Sequence, residues 1–409
     1  MENAATQVVK KLVTAGYIAY FAGGWVRDHL LQLPPSDVDI VTNASPEVIF
    51  DLFPQTIPVG LAFGVVLVCM EGMQFEVSTF RKDIDYVDGR RPSKVELSCP
   101  EEDAKRRDFT INGMFFDPLT KVVHDFVQGT IDLERGVVRT IGNPHDRFRE
   151  DRLRMIRAVR FASRFGFGID LETQLAIQEN AATLYPSVAQ ERVWQEFNKM
   201  CAYPHFDHAL IEMHRLQLLQ AIFPALQGVH LNEIKKYLIS FSHMPAGCPL
   251  ILHLMQLFPR ASEQMRQEIG QSLKIARRDS LLITYYTKVE RLISREEEAQ
   301  NPFDVVEWVQ CAAQPDWQLC LEVLTAGYLA EQRKAFFEKQ AARREAFLPH
   351  IERTQQKRFL VTAQMLQDLG VPPGKRLGDL LKQSEIMALR LNCLDPEEVI
   401  RQLKENLWT

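Results

Sequence analysis

Two neighbouring segments decide the fold of this chain, GGWVRD at residues 23–28 and DVDIVT at residues 37–42. The first follows a β-prone run, YIAYFA (17–22), and its two glycines end that strand before helical spacing begins. The second has the pattern of a short strand. Two more strand-like runs, GVVLVCM (64–70) and QFEVSTF (74–80), are separated by a glycine, which is typical of a hairpin. The alternation predicts a small mixed α/β domain at the start of the chain.

Strand patterns give way to helical periods beyond about residue 147. The predicted helices cover residues 150–165, 170–184, 188–201, 205–219, 231–241, 265–293 and 316–348. A small α/β region followed by a long all-helical region predicts the α+β fold class.

Composition excludes several classes of protein. The 409 residues are 46% hydrophobic and 25% charged with a net charge of −5, so a disordered, collagen-like or uniformly basic chain is excluded. No apolar run approaches the roughly 18 residues of a membrane span, and the first residues, MENAATQVVKKL, lack the apolar core of a signal peptide. Seven cysteines without CxxC spacing predict reduced thiols. These features predict a cytoplasmic protein with no membrane association.

The acidic pair Asp37 and Asp39 is the first candidate for chemistry. Residues two apart on a strand point to the same side, so both carboxylates share a face while Val38 and Ile40 enter the core. Side-by-side carboxylates repel each other, and a divalent cation such as Mg²⁺, which prefers oxygen ligands, relieves that repulsion. Glu76 on the predicted hairpin is a candidate third carboxylate, and a solvent-facing strand residue is its equal alternative.

Phosphate-binding residues are expected beside this pair. Gly23 and Gly24 end a strand and open a helix, where free backbone N–H groups favour a phosphate, and Arg27 lies one turn further on. The alternative is an ordinary strand–turn–helix with a surface arginine. The run KRRDFTIN (105–112) suits a triphosphate clamp, although a surface charge cluster at a helix start explains it better when it is taken alone. The polar segment 81–92 is predicted to be a mobile loop near the cleft.

The most informative run is REDRLRMIRAVRFASRF at residues 149–165. Its residues Asp151, Arg154, Arg157 and Arg160 are spaced three apart, so on a helix they form one winding stripe. A carboxylate that accepts from an exocyclic amino group, beside a guanidinium that donates to ring atoms, matches the edges of cytosine and adenine and mismatches guanine and uracil. The alternative is an amphipathic helix with internal ion pairs.

These segments in this order resemble the class II nucleotidyltransferases, the family of CCA-adding enzymes, their CC-only and A-only relatives, and bacterial poly(A) polymerases. The resemblance rests on GGWVRD, DVDIVT, RRDFTIN (106–112) and EDRLRMIRAVRFA (150–162), and ERVWQE (191–196) adds a structural brace through Arg192 and Glu196.

The resemblance implies an elongated molecule with a polymerase-β-like head and all-helical neck, body and tail. The corresponding boundaries are 1–145 for the catalytic head, 146–200 for the base-recognising neck, 201–330 for the body and 331–409 for an RNA-binding tail. The implied cofactor is Mg²⁺, and the implied partners are ATP, CTP and the 3′ end of tRNA or another RNA. The oligomeric state is left open.

The resemblance also assigns residue roles. It implies that Asp37 and Asp39 bind Mg²⁺ and, with Glu76 as a candidate, form the catalytic set. The implied nucleotide-binding residues are Gly24, Arg27, Arg107, Asp151, Arg154, Arg157 and Arg160. Within that set, Asp151 and Arg154 are expected to read the base.

The resemblance predicts a template-independent enzyme that adds CCA to tRNA 3′ ends from CTP and ATP and releases pyrophosphate. The segment 81–92 is retained, which favours addition of A, and the ending QLKENLWT lacks the basic extension of many poly(A) polymerases. A poly(A) polymerase or an A-only enzyme of the same fold is the alternative. A non-catalytic RNA-binding helical protein is the alternative from a different class. The stretch 331–358, with eight Lys or Arg and four Glu, is either a solvated helical face or an RNA-contacting surface.

Overall fold

The computed structural model describes residues 1–34, 37–59, 64–86, 92–259, 261–297 and 303–407. The chain divides into two compact units, Met1–Ile234 and Lys235–Thr409. The predicted head and neck lie within the first unit. The finer four-part division stays a prediction.

A seven-stranded mixed sheet forms the framework of the first unit. Its strands are β1 (Ala19–Ala22), β2 (Asp39–Thr42), β3 (Thr56–Pro58), β4 (Val65–Met70), β5 (Met73–Thr79), β8 (Phe115–Asp117) and β9 (Val122–His124), and two short pairs lie outside it, β6 (Arg81–Tyr86) with β7 (Pro92–Leu97) and β10 (Val137–Val138) with β11 (Gly168–Ile169). The order in the sheet is β3-β4-β5-β2-β1-β8-β9. β2 runs parallel to β5, and every other neighbouring pair in the sheet is antiparallel.

The helices of the first unit surround this sheet and extend beyond it. They are α1 (Glu2–Thr14), α2 (Gly24–Leu30), α3 (Pro46–Leu52), α4 (Pro100–Lys105), α5 (Gly129–Glu134), α6 (Pro144–Glu150), α7 (Leu153–Phe165), α8 (Leu171–Asn180), α9 (Leu184–Ser187), α10 (Gln190–Cys201), α11 (Phe206–Arg215) and α12 (Leu218–Ile222), followed by α13 (Leu231–Tyr237) at the boundary. Among them, α7 packs against α10 and α11.

The predicted order of the first elements is confirmed. Residues 19–22 of the run 17–22 form β1, the two glycines lead into α2, and residues 39–42 form β2, so that Asp37 and Val38 precede the strand rather than lie on it. β4 and β5 pair as the expected antiparallel hairpin around Gly72, whose φ of 75° lies in the left-handed region that glycine adopts without strain. A core cluster of Ala22, Val41, Phe80, Ala104 and Phe115 joins the sheet to α4.

The prediction of a loop over residues 81–92 is wrong for its described part. Residues 81–86 form β6, which pairs with β7 in an antiparallel ribbon outside the main sheet. Four of the six residues of β6 are charged, which makes the segment look like a loop in the sequence. Residues 87–91 lie outside the described residues.

Several predicted helices are shorter than expected. The helix predicted over 150–165 begins at Leu153, because the Asp151 carboxylate accepts the Leu153 N–H at 3.1 Å in extended backbone geometry before the helix. A residue with positive φ, Gln217, separates α11 from α12 within the predicted span 205–219. One short strand, β11, follows residue 147, where none was expected.

Helices form the second unit throughout its described residues. They are α14 (Leu250–Met255), α15 (Glu263–Ser272), α16 (Arg277–Glu297), α17 (Val305–Ala312), α18 (Trp317–Leu324), α19 (Ala330–Ala346), α20 (Leu348–Gln355), α21 (Ala363–Asp368), α22 (Lys375–Leu391) and α23 (Pro396–Leu407). The predicted spans 265–293 and 316–348 are each two helices. The first is interrupted by Lys274 with a φ of 50°, and the second is interrupted after Leu324 by a turn that contains Gly327. No helix in the described ranges is both long and apolar enough to cross a bilayer.

The segment between α4 and β8 shares a core with α7. Phe109 is fully buried and meets Phe161 of α7 edge to face, with ring centroids 5.7 Å apart. Such a pair stabilises a core through its buried area and its ring geometry. The run that contains Phe109 and the helix that carries the arginine stripe are therefore fixed to each other by packing.

Replacing Phe109 with alanine removes that contact and leaves a cavity. We expect Phe109→Ala to lower the free energy of unfolding of the first unit by about 3–5 kcal/mol. Leu171→Ala, at a position 68% exposed on α8, is the matched control and is expected to change it by less than about 0.5 kcal/mol. Urea unfolding measures both, and equal losses in the two variants would contradict this account of the core.

Candidate active site

One cavity of 620 Å³ in the first unit gathers most of the predicted site residues. Among the described residues, nine cationic and four acidic side chains line it, together with Gly23, Gly24, Asn112 and Phe161. The predicted residues found there are Gly24, Arg27, Asp37, Asp39, Arg107, Asp151, Arg154, Arg157 and Arg160. The excess of cations suits an anionic ligand of several charges.

The acidic pair lies at the start of β2 as predicted. Asp37 and Asp39 are exposed, whereas Val38 and Ile40 are buried, so alternate residues do face opposite sides. Protein around Asp39 displaces water and raises the pKa of its carboxyl group. The positive charge of Arg107 opposes that rise, and the nearby Asp37 carboxylate adds to it.

Glu76 lies on the strand beside this pair. β5 runs parallel to β2 with Ile40 opposite Val77, so the preceding step of the register places Glu76 next to Asp39. Burial and then the Asp39 charge raise the pKa of Glu76, while Arg81 lowers it. Glu76 is not part of the cavity lining, so the structure brings it to Asp39 but not to the cavity itself.

These carboxylates fit a divalent cation. The Asp37 charge raises the pKa of Asp39, and the Asp39 charge raises the pKa of Glu76, which is the repulsion that a bound cation removes. Their oxygens are the hard ligands that Mg²⁺ prefers. The donor set therefore matches a site for a hard divalent ion at the edge of the cavity.

Arg27 is held rigidly although it lines the cavity. The side chain is 3% exposed, and its Nε donates to Asp28 at 2.8 Å while its Nη1 donates to Asn112 at 2.5 Å. The guanidinium also lies over the rings of Phe161 and Phe165, at 5.1 and 4.7 Å from their centroids. Burial lowers the pKa of Arg27, and the Asp28 carboxylate opposes that shift.

Gly23 is required where Arg107 enters the cavity. Its φ is 64°, and a Cβ atom there would lie 3.1 Å from Arg107 Nη1 and 4.0 Å from Asp39 Oδ2. Arg107 is in turn held by Asp103, which accepts from Arg107 Nη2 at 3.0 Å. The buried Asp103 carboxylate also accepts from Arg106 Nε at 2.8 Å. Burial alone would raise the pKa of Asp103, but Arg107 and Arg106 together hold it below its usual value.

Two further carboxylates hold the arginines of α7. Asp108 Oδ2 accepts from Arg157 Nη2 at 2.5 Å and from its Nε at 2.9 Å. Burial opposes ionisation of Asp108, but Arg157 and then Asn112 hold its pKa well below the usual range. Glu196, which is 3% exposed, accepts from Arg160 Nε at 2.5 Å. Because each cation of the stripe is tied to a carboxylate, the stripe is stable inside a partly buried cleft.

Asp151 and Arg154 both line the cavity, and each is oriented by its own partner of opposite charge. Asp151 receives two hydrogen bonds from Arg192, at 3.1 and 2.7 Å. Arg154 Nη1 donates to Glu150 at 2.7 Å. Asp151 precedes α7 rather than lying on it, so the stripe consists of three helical arginines and one acid at the helix entrance.

The predicted brace within ERVWQE has a different geometry. Arg192 and Glu196 were expected to pair with each other at i,i+4, but each reaches across to the α7 region instead, Arg192 to Asp151 and Glu196 to Arg160. The brace therefore acts between elements. α10 orients the acid at the start of α7 and the arginine in its middle.

Arg164 and Lys199 line the cavity although they were not predicted to do so. Arg164 follows Arg157 by seven residues and Arg160 by four, so helical spacing alone would have extended the stripe to it. Its Nη2 donates to Asp28 at 3.0 Å. Lys199 lies 3.6 Å from Glu196 on α10, and no spacing within α7 could have indicated it.

Comparison with known families and relatives identifies the family of this chain. Residues 19–139 match the family described as Poly A polymerase head domain, and residues 166–228 match the one described as Probable RNA and SrmB- binding site of polymerase A. The CCA-adding enzyme of Ligilactobacillus salivarius (strain UCC118) is 32% identical over 400 residues, which are 97% of this chain and 94% of that protein.

Two solved structures share the fold. The Bacillus stearothermophilus CCA-adding enzyme in complex with CTP is 27% identical with a TM-score of 0.76, and the match covers 99% of this chain and 97% of that one. The Thermotoga maritima CCA-adding enzyme complexed with tRNA_CCA is 20% identical with a TM-score of 0.69, over 99% and 95% of the two chains. Because a relative above 30% identity matches along nearly the whole of both sequences, the chain belongs to the family of CCA-adding enzymes, which are nucleotidyltransferases.

Proposed function

We propose that this protein is a template-independent nucleotidyltransferase that adds CCA to the 3′ ends of tRNA from CTP and ATP and releases pyrophosphate. The observation that carries the proposal is the convergence of the acidic pair, Asp37 and Asp39, with the stripe arginines in one cavity. A relative of the same fold was crystallised with CTP, which supports a nucleoside triphosphate as the ligand of this cavity.

The cationic lining suits the triphosphate. In this proposal, Gly24, Arg27 and Arg107 contact its phosphates, and Arg157 and Arg160 complete the nucleotide site. Guanidinium groups donate to phosphate oxygens through short, charge-assisted hydrogen bonds. Because carboxylates behind the cavity already hold Arg27, Arg107 and Arg157, the donors require little reorganisation when the nucleotide arrives.

Asp37 and Asp39 are the residues that would hold Mg²⁺, with Glu76 as the candidate third carboxylate. Bound there, the ion supplies Lewis-acid stabilisation of the charge on the reacting phosphate. The raised pKa values of Asp39 and Glu76, each caused by burial and a neighbouring carboxylate, support a cation site at this place.

The reaction forms one bond and breaks one. The 3′ oxygen of the RNA attacks the α-phosphorus of the nucleotide in line and loses its proton to solvent, and the bond from that phosphorus to the oxygen that bridges the α- and β-phosphates breaks. Pyrophosphate carries away the negative charge, which the arginines around it stabilise. No side chain serves as a covalent nucleophile in this scheme, so the protein accelerates the reaction by positioning the substrates and by stabilising the charge of the transition state.

Asp151 and Arg154 are proposed to select the base. The Asp151 carboxylate accepts from an exocyclic amino group, and the Arg154 guanidinium donates to ring atoms, a pattern that cytosine and adenine satisfy. Both side chains line the cavity, and Arg192 and Glu150 hold them in place. Fixed orientation is what a protein template for a base requires.

A poly(A) polymerase or an A-only enzyme of the same fold is the second candidate function, because the head matches a family named after poly A polymerase. The RNA partner in either case is supported by the match at residues 166–228.

The seven cysteines are all free thiols, which agrees with our proposal that the protein acts in the reducing cytoplasm.

The product of the purified protein distinguishes these functions. The protein is incubated with tRNA that ends before, within or after CCA, together with single nucleotides or a mixture of CTP and ATP. We expect it to add C, C and A one at a time and then to stop. Sequencing of the product measures this. Addition of A alone, or of a long A tract, would establish the second candidate, and no incorporation at all would refute the enzymatic proposal.

The acidic pair is tested by a nearly isosteric change. We expect Asp39→Asn to lower kcat by at least about 1,000-fold while the Kd for tRNA changes less than about twofold, because charge at the cation site is lost and the RNA surface is not. Asp51→Asn, an exposed acid on α3, is the matched control and is expected to keep wild-type turnover.

The same assay tests the metal. Excess EDTA is expected to stop incorporation by the wild type, and added Mg²⁺ is expected to restore it. Wild-type turnover in Asp39→Asn, or in EDTA, would remove Asp39 and Mg²⁺ from the mechanism.

Base selection is tested through the residue that orients Asp151. We expect Arg192→Gln and Asp151→Asn each to reduce the preference for CTP over UTP by at least about tenfold, since each disturbs the same hydrogen-bonded template. The double variant is expected to lose little more than either single one, because the two residues act as a unit. Competition between labelled CTP and UTP measures the preference.

Arg152→Gln, a change at a half-buried arginine that donates to Thr183 and does not line the cavity, is the control with the same loss of charge. It is expected to leave the preference unchanged. An unchanged preference in both single variants would show that Asp151 does not read the base, and additive losses in the double variant would show that Arg192 does not act through Asp151.

A further inference from the structure

The basic stretch at residues 331–358 contains cations with different environments. Lys339 and Arg343 both form ion pairs with Glu296 of α16, and Arg353 is paired with a carboxylate of α22. These three cations hold helices of the second unit together. The basic character of the stretch therefore does not by itself identify an RNA surface, and the remaining cations have to be considered by position.

Two of the remaining cations border a cavity. A space of 500 Å³ lies where the turn between α18 and α19 meets the first turns of α19. Arg333 and Lys334 line it from α19, and His243 lines it from the 3₁₀ turn before α14. We call this space the α18–α19 cavity. The matched families cover residues 19–139 and 166–228, so neither assigns a role to this part of the chain.

Aromatic rings form a wall of the α18–α19 cavity. Tyr328 and Phe337 line it, and both side chains are partly exposed. Phe336 packs edge to face against each of them, with centroids 6.1 Å from Tyr328 and 5.6 Å from Phe337. Arg333 lies over the Phe337 ring at 5.8 Å. Two rings fixed by a third, with a guanidinium beside them, form a platform on which a flat base stacks.

Polar groups complete the lining. Gln318 and Glu322 lie one turn apart on α18, and Gln318 Nε2 donates to Glu322 Oε1 at 2.8 Å. An amide beside a carboxylate offers donors and acceptors that match the edge of a base. Glu322 contributes the acidic charge of the lining, against Arg333 and Lys334. The cavity thus combines aromatic faces, a base-edge pair and an excess of positive charge.

We propose that the α18–α19 cavity binds one unpaired nucleotide of the RNA substrate, with its base stacked on Phe337 and Tyr328 and its phosphate at Arg333 and Lys334. The proposal rests on the proposed function only in taking the substrate to be RNA. A volume of 500 Å³ suits a single small ligand, and only an unpaired, splayed-out base presents a face for stacking. The proximity of cations to the stacking rings favours a nucleic acid over an apolar peptide as the occupant.

Binding of tRNA without its CCA end to the full chain, followed by fluorescence anisotropy, tests the proposal. We expect Arg333→Gln/Lys334→Gln and, separately, Phe337→Leu to raise the Kd by about tenfold. The first variant also loses two phosphate contacts, so the slope of log Kd against log salt is expected to fall by about 1.4–1.8. Phe337→Leu keeps an apolar side chain and is expected to leave that slope unchanged.

Arg344→Gln/Lys357→Gln is the matched control. It removes the same charge from exposed positions of the same basic stretch, and it is expected to keep the Kd within about twofold of the wild type. In turnover assays, the cavity variants are expected to raise KM for tRNA while kcat and KM for CTP stay unchanged. A merely structural role would not produce that separation.

Two results would overturn the proposal: a Kd within twofold of the wild type in both cavity variants, or an equal loss in the control. The first would show that the occupant is not RNA, and the second that only overall charge matters. Because these are binding measurements, a wild-type protein that binds tRNA and adds no nucleotide would refute the proposed function and leave this test valid.

Discussion

Repulsion among guanidinium groups gathered in one cleft is the constraint on which the rest of the first unit depends. Among the residues that the structure describes, nine cationic side chains line the 620 Å³ cavity, and the chain has to hold them together before any anion is bound. It does so by placing carboxylates behind them: Asp28 at Arg27, Asp103 at Arg107, Asp108 at Arg157 and Glu196 at Arg160. Buried charges persist in a protein when they are paired and hydrogen-bonded, so these acids are as necessary to the site as the arginines are.

The same arrangement connects fold to function. The acids come from α2, α4, the run after α4 and α10, so the cleft forms only when the sheet and the helices around α7 are packed together. Gly23 and the Phe109–Phe161 contact belong to this requirement, since they let Arg107 approach Asp39 and fix α7 against the segment between α4 and β8. Oriented donors then face the ligand with little left to rearrange, which is how a site without a side-chain nucleophile stabilises charge in a transition state. The excess of cations over acids leaves the cleft ready for a triphosphate.

Much of this architecture could be predicted from the sequence, because local patterns determine it. Period-two alternation placed Asp37 and Asp39 on one face, and three-residue spacing brought Arg154, Arg157 and Arg160 to one cavity. Contacts between distant segments could not be predicted that way. Arg192 binds Asp151 across 41 residues, and the break before α7 depends on how Asp151 is bonded. Helix ends at Lys274 and Gln217 depend on single left-handed residues that composition does not mark. The roles of the site residues remain predictions that the geometry supports.

Fixed side chains in this cleft are proposed to select the nucleotide without a nucleic-acid template. The most direct measurement is the Kd of the wild-type protein for CTP, ATP, UTP and GTP in the absence of RNA, by isothermal titration calorimetry with Mg²⁺ present. The account predicts that CTP and ATP bind at least about tenfold more tightly than UTP and GTP, since only their edges match an acceptor beside a donor. Equal affinity for all four nucleotides would show that the cleft holds triphosphates by charge alone and would contradict the claim.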